Sequence, residues 1–140
     1  MQMQKKINSW LITQVDKGTQ TDYLELDSGE FLSNEIIIEV KNSALNYKDA
    51  LAITGMAPII RKFPLIPGID FSGVVIQSNN KKFGEGDRVF ATGLGLGELQ
   101  HGGLSSHAST DPDILIKLPN KYTHSYIMGL GTAGLTAMLA

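Results

Sequence analysis

Asn46, Tyr47, Lys48 and Asp49 stand in a row within the stretch 43–51, between a strand-like run and Gly55. Together they offer a carboxamide, a phenol, an ammonium and a carboxylate, the densest group of chemically capable side chains in the chain. Asn46 is a favoured N-cap residue, and Asp49 three positions on is a conservative form of the capping-box spacing. Leu51 falls on the fifth helical position and Gly55 suits a C-cap, so a short helix is predicted to start at Asn46. Its first turn carries Tyr47 and Lys48 beside exposed backbone N–H groups, where partial positive charge favours an anionic or electron-rich ligand. The same residues also suit a plain capped helix with a half-buried Tyr and a solvated Lys.

Asp70 is the second residue of interest. It lies in the otherwise apolar run 68–76, and an unpaired buried carboxylate is expensive. Either a basic side chain or backbone N–H groups hold it, or it lies beside the predicted helix and orients active-site groups. Arg61-Lys62 reads as a solvated pair, with a phosphate contact as the alternative if its loop moves. His101, His107 and His124 lack helical or finger spacing and are expected to be surface, loop or structural residues rather than metal ligands. The run 129–134 (Gly-Leu-Gly-Thr-Ala-Gly) formally matches G-x-G-x-x-G. It lacks a preceding strand and a later acid, so close helix packing is the favoured explanation.

The elements that must position these residues are mostly strands. Residues 10–14 and 23–26 read as two short strands around the turn signal Asp16-Lys17-Gly18, and 27–30 as a further turn. Residues 35–40 are β-branched and lead straight into the 43–51 stretch. Pro58, Pro64 and Pro67 exclude a regular helix between Gly55 and Gly68. Strands are expected at 68–76, 88–91, 104–109 and 114–118, with a glycine-rich loop from Gly93 to Gly103. Short strands at this spacing indicate a β-barrel or sandwich with peripheral helices. Thr123 is a candidate N-cap for an apolar helix over 125–140, which needs cover on more than one side. The run stops in mid-pattern at Ala140, and from this a fragment of a longer protein is expected.

Composition narrows the function classes. The 140 residues are 42% hydrophobic and 19% charged, ordinary for one folded domain. A net charge of −2 gives no electrostatic footprint for nucleic acid or an anionic membrane. No apolar run approaches the ~20 residues of a transmembrane helix. The absence of cysteine removes disulfides, thiolate nucleophiles and cysteine-ligated zinc, and is compatible with a reducing cytoplasm, the expected location.

Four motifs occur in series: 45–51 (Leu-Asn-Tyr-Lys-Asp-Ala-Leu), 63–73 (Phe-Pro-Leu-Ile-Pro-Gly-Ile-Asp-Phe-Ser-Gly), 86–89 (Gly-Asp-Arg-Val) and 131–137 (Gly-Thr-Ala-Gly-Leu-Thr-Ala). In this order the chain resembles the N-terminal part of a zinc-independent medium-chain dehydrogenase/reductase. The nearest resemblance is to the YhdH/YhfP-type quinone oxidoreductase group, which includes acrylyl-CoA reductases. The resemblance implies a GroES-like β-barrel catalytic domain over 1–124. It also implies that 125–140 begin the helix leading to a Rossmann domain that is missing from this chain. NADPH would be the cofactor, a conjugated carbonyl or quinone the small-molecule acceptor, and a homodimer the full-length form.

Tyr47 matches the tyrosine of the family's Asn-Tyr-x-Asp motif, near the nicotinamide, and Thr132 matches a threonine that approaches the same ring. Asn46 stands where the zinc alcohol dehydrogenases carry a catalytic cysteine. Ile69 replaces the histidine of their Gly-His-Glu motif, with Asp70 at the glutamate. Tyr47, Asn46 and Asp70 are therefore the expected catalytic residues, Tyr47 and Thr132 the expected cofactor contacts, and no metal is expected. A truncated, inert GroES-like module is the alternative.

Overall fold

The computed structural model describes residues 5–32 and 35–140. The chain opens with a hairpin, β1 (Lys6–Val15) and β2 (Gly18–Asp27), closed by Asp16 and Lys17. Both strands are longer than the hydrophobic pattern predicts, because the ladder continues through the mostly polar stretches 6–9 and 18–22, where Ile7 alone is a buried apolar residue. The expected turn at 27–30 is instead a single helical turn, α1 (Ser28–Phe31). The Asp27 carboxylate accepts the Gly29 N–H at 2.9 Å and so starts it.

The main sheet has the order β6-β3-β4-β5-β7, and every ladder in it is antiparallel. Its strands are β3 (Ile36–Ala44), β4 (Asp70–Ser78), β5 (Arg88–Thr92), β6 (His107–Ser109) and β7 (Ile116–Lys117). The last two are shorter than expected. Residues 104–106 are drawn into backbone bonds with β1, and Pro112–Ile114 form a 3-10 turn capped by Asp111. The hairpin joins the main sheet's loops through reciprocal Ile12–Leu65 backbone bonds of 2.8 and 3.0 Å and a Trp10 N–H to Leu104 carbonyl bond. Two apolar clusters fill the interior. One holds Ile36, Ile38, Phe71, Val75 and Val89, and the other Ile7, Leu11, Phe31, Ile37 and Ile66. Ile37 points opposite to its neighbours Ile36 and Ile38, so β3 serves both clusters through the alternation of a strand.

Two helices flank the sheet. The predicted α2 (Tyr47–Thr54) has Asn46 at its N-cap and Gly55 at its C-cap, with Gly55 left-handed at φ 68°. The last, α3 (His124–Leu139), starts at Thr123, whose hydroxyl accepts the Tyr126 N–H at 3.0 Å. It is not one continuous helix. Gly131 (φ 45°, ψ −155°) kinks it into two segments. The mainly β architecture with peripheral helices is as expected, and no doubly wound sheet occurs among the described residues.

Candidate active site

Register places the site. Ala44 at the end of β3 lies opposite Asp70 at the start of β4, and Asp70 lies opposite Thr92 at the end of β5. The loops leaving Ala44 and Thr92 therefore emerge on either side of Asp70. One carries Leu45, Asn46 and Tyr47 into α2, and the other begins the glycine-rich segment.

Asp70 is fully buried and no cation meets it among the described residues. Three donors hold its carboxylate. Asn46 Nδ2 donates to Oδ2 at 3.0 Å, the Thr132 N–H to the same oxygen at 2.7 Å, and Thr132 Oγ1 to Oδ1 at 2.5 Å. The Thr132 N–H is the first after the Gly131 kink, so Asp70 caps the second segment of α3. The kink and the cap depend on each other: a Cβ on Gly131 would lie 2.6 Å from Asp70 Oδ2. Of the two readings of Asp70 open from sequence, part of each holds. A backbone N–H does satisfy it, and it also joins the start of α2 to α3.

Asp49 does the matching work on the other side. Its Oδ2 accepts the Asn46 N–H at 2.8 Å, as a capping box requires, and its Oδ1 accepts the Ile69 N–H at 3.0 Å. Burial pushes its carboxyl above the ordinary range, the two backbone donors and the Asn46 side chain oppose this, and the nearby Asp70 charge adds to the rise. Asn46 is thereby fixed at both ends, its N–H by Asp49 and its carboxamide by Asp70. Sequence reasoning identified the cap but missed the Ile69 link, which depends on a contact across 20 residues.

Tyr47 follows on the first turn of α2 and is 79% exposed, with its phenol uncovered. The half-buried tyrosine of the plain capped-helix reading is not what forms. Lys48 is not free either: its ammonium is paired with Glu98 of the glycine-rich loop, which Arg61 also approaches at 3.9 Å. Glu98 was missed, since nothing local marks it. Leu94, exposed and left-handed at φ 51°, sits two residues beyond Thr92 at the same end of the sheet.

The histidines lie elsewhere. His101 Nδ1 accepts the Ile66 N–H at 3.2 Å and its ring packs on Phe31. Burial, and then the Lys62 charge, depress its pKa. His107 in β6 contacts Ser106, and His124 Nδ1 contacts the Ser72 hydroxyl at 3.1 Å. Burial lowers both. No group of three His, Asp or Glu side chains among the described residues is placed to hold a metal. The G-x-G-x-x-G match lies inside α3. Of its glycines, Gly131 makes the close approach, whereas Gly129 faces open space.

The model of the alcohol dehydrogenase GroES-like domain matches residues 32–120, more than half of the chain. The chain belongs to that family. Curated relatives of this GroES-like domain include the probable acrylyl-CoA reductase AcuI of Escherichia coli, 44% identical over 92% of the chain and 40% of the relative. The putative quinone oxidoreductase YhfP of Bacillus subtilis is 46% identical over 75% of the chain and 32% of the relative. Among solved structures, the yhdH oxidoreductase of Salmonella enterica in complex with NADP superposes with a TM-score of 0.90 at 42% identity. It covers 94% of this chain and 41% of that one. The chain thus spans about 40% of the length of AcuI and of the yhdH oxidoreductase.

Proposed function

We propose that these residues form the substrate-side wall of an NADPH-dependent oxidoreductase that delivers hydride to a conjugated carbonyl, as in acryloyl-CoA, or to a quinone. The supporting observation is the Asn46–Asp70–Thr132 network, built on the buried Asp70 with no cation on it among the described residues, which sets the exposed Tyr47 at the edge of a satisfied polar cluster. Similarity to an acrylyl-CoA reductase and to a putative quinone oxidoreductase supports this choice of acceptor class. Zinc plays no part in this reading, since Asn46 and Ile69 replace its ligands. Residues 125–140 begin the connection to a second domain that carries most of the cofactor contacts and the homodimer interface, in a cytoplasmic enzyme.

The residues present fit one side of a nicotinamide. Tyr47 offers an uncovered ring and phenol. Thr132 Oγ1, which donates its hydrogen bond to Asp70, retains lone pairs able to accept one from a carboxamide. When bound, the cofactor supplies the hydride. Hydride addition at the acceptor's β-carbon leaves negative charge on its carbonyl oxygen. The Tyr47 hydroxyl donates to that oxygen or protonates the α-carbon. Asn46 holds the α2 turn that presents Tyr47. Asp70, having no exposed surface, acts through Asn46 and Thr132 and is a positioning residue.

Fluorescence titration with NADPH, followed by assay with acryloyl-CoA and small quinones, tests the reading. Micromolar binding and acceptor reduction by the full-length protein support it. Absence of both binding and reduction favours the inert GroES-like module.

A further inference from the structure

We propose that Lys48 and Arg61 form a subsite for a phosphate or diphosphate group, and that Glu98 fills this subsite as an internal anion. The proposal rests on the reading of this face as the substrate side of the reductase. Three separate segments converge here: Lys48 from the first turn of α2, Arg61 from the proline-rich connection, and Glu98 from the glycine-rich loop. The Lys48 ammonium pairs with Glu98 Oε2, Arg61 Nε lies 3.9 Å from Oε1, and the Arg61 N–H donates to the Glu98 carbonyl at 3.1 Å.

Two cations around one carboxylate leave one positive charge over. Arg61 is held loosely, since 3.9 Å is beyond hydrogen-bond range, and its side chain is 64% exposed. Its remaining guanidinium donors are therefore available to a planar or tetrahedral anion. Lys62 follows directly, and its charge reaches His101, so the positive field extends past the pair. The N-terminal end of α2 adds partial positive charge of the same sign. Partly exposed ion pairs contribute little, so a group with more charge and more acceptor oxygens displaces Glu98 from both cations.

Two ligands bring that chemistry: the diphosphate of a coenzyme A thioester acceptor and the diphosphate of the nicotinamide dinucleotide. Isothermal titration of the full-length protein with coenzyme A, NADPH and phosphate-free pantetheine separates them. Glu98→Gln is expected to tighten binding of the phosphate-bearing ligand about three- to tenfold. Lys48→Gln and Arg61→Gln each weaken it by about as much, and all of these effects shrink as salt is raised. Pantetheine binding stays unchanged throughout. A response confined to coenzyme A assigns the subsite to the acceptor, and one confined to NADPH assigns it to the cofactor. Unchanged affinity for both ligands in Lys48→Gln and Arg61→Gln, or weaker binding in a folded Glu98→Gln, overturns the proposal. Should Glu98→Gln lose its native unfolding midpoint, the two cation variants decide. Glu98-sensitive binding in a protein that reduces no acceptor would overturn the reductase reading and leave the subsite standing.

Discussion

Asp70 Oδ1 and Thr132 Oγ1 lie 2.5 Å apart although 62 residues separate them in the chain. With the Thr132 N–H bond to Oδ2, this contact joins the first residue of β4 to the segment of α3 beyond its kink. Asp70→Ala would leave the Thr132 N–H and the Asn46 carboxamide without their acceptor. A loss of about 2–4 kcal/mol is expected, read as a lower urea midpoint at unchanged m-value. Thr132→Val removes only the hydroxyl bond and is expected to cost about 1 kcal/mol. Equal losses in the two variants would mean that the backbone cap contributes nothing.

Two glycines of α3 should respond in opposite directions. At Gly131 the left-handed backbone and the 2.6 Å approach to Asp70 Oδ2 make Gly131→Ala destabilising by about 1–3 kcal/mol. Gly129 has a helical conformation and open space around it, so Gly129→Ala should stabilise by roughly 0.5–1 kcal/mol. Thermal unfolding of the pair checks this. A stabilising Gly131→Ala would show that the kink is not needed to seat Thr132 on Asp70.

Tyr47→Phe keeps the ring and removes the donor. In the full-length enzyme, turnover should fall by about a hundredfold or more while NADPH affinity changes little. Because Tyr47 is exposed, the unfolding midpoint should not move. Steady-state kinetics beside a cofactor titration separates the two effects, and unchanged turnover removes Tyr47 from the chemistry.

Acid should weaken the fold through His101. Its folded pKa is depressed by burial and by Lys62, and its Nδ1 must stay unprotonated to accept the Ile66 N–H. The unfolded chain then binds the extra proton first. Its contribution is fully present above about pH 6.5 and declines as pH falls from there toward the lower folded value. His107 and His124, also depressed, act in the same direction. His101→Asn, which retains an acceptor near the Nδ1 position, should flatten the profile between pH 7.5 and 5.5. A profile as steep as wild type would assign the effect to the other two histidines.

Local chemistry made much of this legible. The Asn46 and Gly55 caps, the helix between them, the Thr123 start of α3 and the exclusion of helix by three prolines all follow from short-range rules. They were readable because each depends on residues within about four positions. The strands over 10–14 and 23–26 are legible but their ends are not, because ladder pairing continues through 6–9 and 18–22, where apolar residues are too few to mark a strand. Asp70 could be marked as an anomaly, a carboxylate among apolar residues, without its partners being known.

Residue types and short spacings thus determined the capped helix, the mainly β character and the interest of Asn46, Tyr47 and Asp70, while Thr132 was marked only by the family resemblance. Only the tertiary structure decided that Asn46 and Thr132 meet on Asp70, that Asp49 reaches Ile69, and that Glu98 claims Lys48. Each of those contacts spans 20 or more residues and depends on strand register. In the main sheet that register is set by pairing between strands distant in the chain, and no local pattern encodes it.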